Sequence, residues 1–283
     1  MLRLAVQKSG RLSDKSIDLL HRCGIRFSHP KGRLRAVSDN FPVEILYLRD
    51  DDIPGYVEDG VADIGMVGEN VVLEKGVQVE TIRRLGFGRC RLAIALPKGD
   101  AYEGVTSLAG RHIATSYPRL LGDFLSKAGV EASIHEISGS VEIAPGIGLA
   151  DGICDLVSTG STLLSNGLAE VETVLKSEAV LVGSRSLSDE KKALLDRLCF
   201  RVDSVLKARG YHYVLLNAPI ESVDRIAALL PGMRSPTVVP LAEEGWVSMH
   251  SVLDDDAFWT VVDQLKEAGA EGMLVVPIDK MVI

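Results

Sequence analysis

Gly152–Gly160 reads GICDLVSTG: an apolar run that meets an acidic residue at Asp155 and then breaks into hydroxyl side chains around a glycine. The apolar part reads as a strand buried on both faces. Gly60–Gly68, GVADIGMVG, has the same spacing, Gly-x2-Asp-x4-Gly. Two strand ends of one pattern, each near the close of an α/β half, suggest two similar lobes with a ligand cleft between them.

Outward from these stretches, strand-like runs alternate with helix-like segments. The runs are LRLAV (2–6), VEILYL (43–48), ADIGMVG (62–68), RLAIALP (91–97), HIATSY (112–117) and AVLVGS (179–184). Ser13 is placed to cap a helix carrying Ile17, Leu20 and Cys23, with a stop at Gly24. A second helix follows Pro118, carries Leu121, Phe124 and Leu125, and stops at Gly129. Near-continuous apolar strands separated by helices predict a parallel-rich α/β sheet.

From Ser188 the pattern changes. A long helix is expected over 188–210, then YHYVLLN, a helix over Glu221–Leu230 stopped by Pro231 and Gly232, TVVPL, a hairpin at Ala242–Gly245, WVSMHSVL, a helix through Phe258 and Leu265, and MLVVPI. That β-α-β-β-α-β order predicts a ferredoxin-like module. The expected division is a first lobe over 1–90 with a return segment at about 170–187, a second lobe over 91–169, a connecting helix over 188–210, and a C-terminal domain over 211–283.

Composition narrows the function. Apolar residues make up 46% of the 283, enough for a large core. The net charge of −8 argues against broad nucleic-acid binding. No run is long enough to span a bilayer, and the N-terminus lacks a signal peptide's apolar stretch, so a cytoplasmic protein with no membrane partner is expected. Cys23, Cys90, Cys154 and Cys199 are too far apart for a zinc knuckle or redox pair. The six histidines show no ligand spacing, and no metal ligand is assigned.

The hydroxyl loop carries the chemistry. Gly160 lets the chain turn and an oxygen-rich ligand approach the backbone. Ser158, Thr159, Ser161 and Thr162 supply donors, and a helix starting near Thr162 favours an anion. A phosphate monoester fits; the Gly-Lys-Ser/Thr ending of nucleotide hydrolases is missing. Asp155 and Glu142 suit sugar hydroxyls, so the pair of features suggests a phosphorylated ribose. The plainer reading is that 158–162 caps a helix and satisfies its own backbone.

The longer pattern decides between them. Glu142-x5-Gly148-x-Ala150-x2-Ile153-x-Asp155-Leu156-x2-Thr159-Gly160-x-Thr162-Leu163 resembles the signature of the ATP phosphoribosyltransferases, as do QKSGRLSDKS, LRDDDIPGYVEDGVADIGMVGEN, RRLGFGRCRLAIALP, ATSYPRLL and LLPGMRSPTVVPL. The resemblance is to the family's long form, which carries its own regulatory domain. It implies a two-lobed, periplasmic-binding-protein-like catalytic core and transfer of phosphoribosyl from phosphoribosyl pyrophosphate to N1 of ATP, with Mg2+. It further implies the first step of histidine biosynthesis, inhibition by histidine and by AMP, and a homo-oligomer built from dimers into hexamers.

Carried over residue by residue, Glu142, Asp155, Ser158, Thr159, Gly160, Ser161 and Thr162 would hold phosphoribosyl pyrophosphate. Lys8, Gly10, Arg11, Arg49 and Tyr117 would face ATP or pyrophosphate, and Asn217, Ser235, Thr237 and Gly272 would bind histidine. Asp63 or Glu69 is placed to sit across the cleft, Asp63 reading alternatively as a strand-end cap; no single general base is named. Arg49 reads equally as a salt bridge to Asp50–Asp52, and Tyr117 as core packing. The competing function is a non-catalytic protein of two-lobed fold that closes on a small anion.

Overall fold

The computed structural model describes residues 1–28, 33–230 and 232–283. His29 and the helix stop expected at Pro231 lie outside them. Two compact units divide the chain, Met1–Arg197 and Leu198–Ile283.

The first unit runs β1 (Leu2–Gln7), α1 (Arg11–Arg22), β2 (Arg35–Val37), β3 (Val43–Leu48), α2 (Ile53–Glu58), β4 (Ile64–Gly68), α3 (Glu69–Lys75) and β5 (Glu80–Arg84). It continues with β6 (Cys90–Pro97), β7 (His112–Thr115), α4 (Pro118–Lys127), β8 (Ser133–Glu136), β9 (Gly152–Val157), α5 (Ser161–Ser165), β10 (Leu168–Ser177) and β11 (Ala179–Gly183). α6 (Asp189–Ala208) then runs across the division between units. Ser188 caps it, with its Oγ 3.4 Å from the Lys191 amide.

Two sheets make the two lobes, in the orders β2-β3-β1-β4-β11-β5 and β10-β6-β9-β7-β8. In the first, β1 lies parallel between β3 and β4; in the second, β7 lies parallel between β8 and β9. The other pairs are antiparallel. The expected parallel-rich sheet is therefore mixed. The chain crosses between sheets twice, and each crossing strand runs back against its neighbours. The return comes later than about 170: β10 first pairs with β6 in the second sheet, and only β11, from Ala179, joins the first.

Both sheets are buried by apolar side chains of helices and strands. Ala5, Val67, Val180 and Val182 pack with Ile53 and Val57 of α2. Leu92, Ile94 and Ile113 pack with Leu121 and Leu125 of α4. α1 starts earlier than the Ser13 cap predicted. Gly10, at φ 103°, turns the chain directly out of β1, and Ser13 is buried in the first turn.

The second unit adds β12 (Tyr211–Pro219), α7 (Val223–Leu229), β13 (Thr237–Pro240), β14 (Trp246–Asp254), α8 (Asp255–Glu267) and β15 (Glu271–Pro277). The antiparallel order β13-β14-β12-β15 is the ferredoxin-like one. Val214, Leu216 and Ala218 of β12 bury against Ile226 of α7 and Leu265 of α8. The alternate positions of β12 are left to the open face, as period-two burial requires. Among the described residues no helix is long and apolar enough to cross a membrane.

Candidate active site

The hydroxyl loop lies where β9 hands over to α5. Gly160 is left-handed (φ 82°) and stands just before the first turn of α5, a conformation costly for any residue with a Cβ. A cavity of ≈ 200 Å³ is lined by Glu142, Asp155, Ser158, Thr159, Gly160 and Thr162 among others. The structure thus brings together six of the seven residues expected to hold the phosphosugar. Ser161 turns its hydroxyl to Thr159, 3.1 Å away. Glu142 reaches the loop from a single 3-10 turn, Val141–Ile143.

Asp155 has little help from the protein. Its Oδ1 accepts from the amide of Leu156 at 2.7 Å. Burial raises its pKa, the Leu156 amide opposes this, and Glu142 raises it further. Two neighbouring carboxylates at a hydroxyl-rich loop suit donors or a cation brought by a ligand. Arg91 braces the loop from behind: its guanidinium bonds Glu170 as a fork and donates to the Ser158 carbonyl at 3.3 Å.

A second cavity of ≈ 520 Å³ opens between the lobes and shares Leu156 and Ser158 with the loop. Gln7, Arg11, Lys15, Asp50, Asn70 and Arg89 line it. It lies at the carboxyl ends of β1, β3, β4 and β9, where open α/β sheets bind ligands. Arg11 is there as expected. Lys8 is exposed at the end of β1, its amide bonded to Leu48 at 2.8 Å. Arg49 is exposed, and among the described residues it forms no ion pair with Asp50, Asp51 or Asp52.

Tyr117 joins the lobes. Its hydroxyl accepts from Asn70 Nδ2 at 3.1 Å, and Asn70 Oδ1 accepts from Ser177 at 2.9 Å. Burial raises the Tyr117 pKa, and the charges of Asp155, Asp50 and Asp51 add to it. Lys15, Asn70, Asp50 and Arg89 were not singled out from sequence. Lys15 lies one helical turn beyond Arg11, a spacing that was available.

Asp63 is not across the cleft. It precedes β4 and is buried, its oxygens taken by the Arg3 amide at 2.8 Å and Lys191 Nζ at 2.7 Å. β9 instead starts three residues before Asp155, so the shared spacing puts the two aspartates at different heights on their strands. Glu69 is bound by Arg84. Among the described residues no three His, Cys, Asp or Glu side chains converge on a metal position.

In the second unit, Asn217 pairs with Ser248 in register, and Thr237 with His250. His250 is held by Tyr213 Oη at 2.9 Å and Ser248 Oγ at 3.1 Å. Ser235 is exposed, and a Cβ on Gly272 would meet the Asn217 amide at 3.5 Å.

Comparison with known proteins points one way. Residues 49–204 match the family model described as ATP phosphoribosyltransferase, and residues 208–280 match the C-terminal domain model of the same enzyme. An ATP phosphoribosyltransferase of Cytophaga hutchinsonii is 59% identical over 100% of this chain and 99% of its own. One of Bacteroides thetaiotaomicron is 54% identical over 100% of both. Among solved structures, a chain of the Thermotoga maritima ATP phosphoribosyl transferase (HisG:HisZ) complex superposes with TM-score 0.61 at 28% identity, covering 72% of this chain and 99% of that one.

Proposed function

The chain belongs to the ATP phosphoribosyltransferase family, and from that premise we propose that its substrates meet at the loop 155–162 and the cleft beside it. The enzyme transfers the 5-phosphoribosyl group of phosphoribosyl pyrophosphate to N1 of ATP and releases pyrophosphate. This commits the two substrates to histidine biosynthesis.

The observation that carries the site assignment is the cavity shared by Asp155, Glu142 and the hydroxyl loop. Ser158, Thr159, Gly160, Ser161 and Thr162 hold the 5-phosphate through hydroxyls and backbone amides. Asp155 accepts from the ribose hydroxyls, which supply the donors that its protein surroundings lack. Arg11, with Lys15 and Arg89, faces the phosphates of ATP or the leaving pyrophosphate. Gly10 gives Arg11 and Lys15 their place by opening α1 at the cleft. Lys8 and Arg49 stand at the exposed rim and act on phosphates at longer range. Tyr117 lies against the reacting groups, fixed by Asn70.

The chemistry asks little covalent work of the protein. Adenine N1 is an unprotonated nucleophile, and the ribose carbon becomes cationic as pyrophosphate leaves. Positioning and charge complementarity account for the rate, and no general base is required. The reaction uses a divalent metal, which we take to be Mg2+. Two adjacent carboxylates, Asp155 and Glu142, fit an ion held mainly by substrate phosphates rather than by a protein cage. When bound, such an ion neutralises charge on the leaving group.

Histidine is proposed to bind the second unit at Asn217, Ser235, Thr237 and Gly272. Thr237 and Asn217 fall on one face of its sheet, as the register supports. AMP is proposed to inhibit by occupying the nucleotide cleft, and the active form to be a cytoplasmic homo-oligomer of dimers or hexamers. The non-catalytic anion-binding alternative predicts no turnover. The test is pyrophosphate release from phosphoribosyl pyrophosphate with ATP, in the wild type and in Asp155→Asn. A fall of about 10-fold or more in the variant is expected, as for loss of a charge-assisted hydrogen bond. Wild-type kinetics in Asp155→Asn would remove the ribose assignment.

A further inference from the structure

Arg91 stands on β6, the strand between β9 and β10, and reaches toward both neighbours. Its Nε and Nη2 donate to the two carboxylate oxygens of Glu170 on β10. Its Nη1 donates to the carbonyl of Ser158, just past the end of β9, at 3.3 Å. The guanidinium is a planar, rigid fork, so fixing two of its nitrogens on Glu170 aims the third. Both side chains are partly buried, which limits the room for other arrangements.

A trans peptide points its C=O and its N–H in opposite directions. The Ser158 carbonyl faces Arg91, so the Thr159 N–H faces away from it. The cavities divide in the same way. Arg91 and Ser158 line a cavity of ≈ 510 Å³ to which Thr159 does not belong. Ser158 and Thr159 line the loop cavity, and Arg91 lies outside it. The Ser158–Thr159 peptide is thus a wall between the two, with its oxygen on one side and its N–H on the other. Among the described residues, the amides of Thr159, Gly160 and Ser161 donate to no protein acceptor.

We propose that Arg91 and Glu170 are positioning residues for phosphoribosyl pyrophosphate: together they hold the Ser158 carbonyl out of the loop cavity and present the Thr159 N–H to the 5-phosphate. This rests on the loop holding that phosphate. With the peptide turned the other way, a carbonyl oxygen would face the phosphate and repel it. A donor fixed before the ligand arrives needs no reorganisation on binding. Glu170 also balances the charge of Arg91, which keeps the guanidinium on its own strands and leaves the phosphate to the amide. The 5-phosphate is remote from the reacting ribose carbon, so its contacts are the same in the bound substrate and in the transition state. Their loss raises KM and leaves kcat.

The test is steady-state kinetics and thermal unfolding of the wild type, Arg91→Lys, Glu170→Gln and Thr162→Val, with each substrate varied in turn. Lysine keeps the charge but cannot both hold Glu170 as a fork and reach Ser158. In Arg91→Lys, KM for phosphoribosyl pyrophosphate should rise by ~10-fold or more, as for a lost hydrogen bond to a charged group, with KM for ATP and kcat unchanged. Glu170→Gln should raise the same KM by a smaller factor. If Arg91→Lys does not fold, Glu170→Gln carries the test alone. A lower KM in Glu170→Gln overturns the proposal, because Arg91 released from Glu170 would then be binding the phosphate itself. A lower Tm with kcat and both KM values changed alike also overturns it, since the pair would then only hold the sheet. Thr162→Val removes a hydroxyl from the loop itself. A raised KM for phosphoribosyl pyrophosphate in Thr162→Val but not in the Arg91 and Glu170 variants overturns the positioning role and leaves the loop assignment standing. No change in any of the three overturns the loop assignment, and the role of Arg91 with it.

Discussion

A carboxyl without donors weakens the folded state at neutral pH. Burial, with a smaller push from Asp51, raises the Asp50 pKa from 3.8 to about 6. Below about pH 4 Asp50 is protonated in both folded and unfolded chains and costs nothing. As pH rises through about 6 the folded chain must ionise a group that the unfolded chain ionised earlier. The whole penalty, at most roughly 3 kcal/mol, is present above that pH. Asp50→Asn should therefore stabilise the free enzyme at pH 8 and change little at pH 4. Urea unfolding at both pH values checks this, and an equal effect at both would remove the ionisation penalty. Asp155 was legible because a run of hydroxyls marks it; Asp50 was not. Its neighbours Asp51 and Asp52 make it look like one of a solvated acidic run, and only the end of β3 turns it toward the cleft. Asp63 misled for the converse reason: one-dimensional spacing does not say where along a strand a residue falls.

Helix α4 shows how one element ties the lobes together. Its N-cap residue, Tyr117, offers no side-chain cap. Glu74 of α3, from the other lobe, supplies it instead: its two carboxylate oxygens accept from the Arg119 and Leu120 amides, each at 2.9 Å. A carboxylate there satisfies orphan amides and suits the positive end of the helix. Glu74→Ala should cost about 1–2 kcal/mol of stability, the upper range for a lost cap. It should also raise hydrogen exchange at Arg119 and Leu120, which a general loosening would not confine to that turn. Uniform exchange across α4 would mean the cap is not what holds it. The strands with continuous apolar runs were readable, among them β1, β3, β6, β9 and β11. β10 was not, since its register slips between Glu170 and Glu172 and again between Thr173 and Leu175. Each slip breaks the alternation by which a strand is recognised. β5, ETIRR, is mostly exposed and has a single apolar residue, Ile82.

At the scale of the molecule, the proposed substrate site lies in Met1–Arg197 and the proposed histidine site in Leu198–Ile283. If histidine binds there, its inhibition is a coupling between sites rather than a contest for one site. Histidine then acts only through a difference in its affinity for the active and inactive states of the enzyme, typically 1–3 kcal/mol, or about 5- to 150-fold. Reciprocity holds for the part of the coupling that acts on phosphoribosyl pyrophosphate binding; the part that acts on turnover persists when that substrate is saturating. The free ammonium and carboxylate of histidine need polar partners. Ser235, Thr237 and Asn217 offer hydroxyl and amide groups at the ends and on the open face of a sheet whose other face is closed by α7 and α8. Histidine should therefore lower turnover of the intact enzyme in a way that saturating phosphoribosyl pyrophosphate does not abolish. Ser235→Ala with Thr237→Val should relieve inhibition by about 10-fold or more while leaving uninhibited turnover unchanged, because neither residue lies in the catalytic unit. Calorimetric titration and steady-state kinetics decide the matter together. No heat of histidine binding to the wild type, or undiminished inhibition in the double variant, would mean that the second unit does not house the control site.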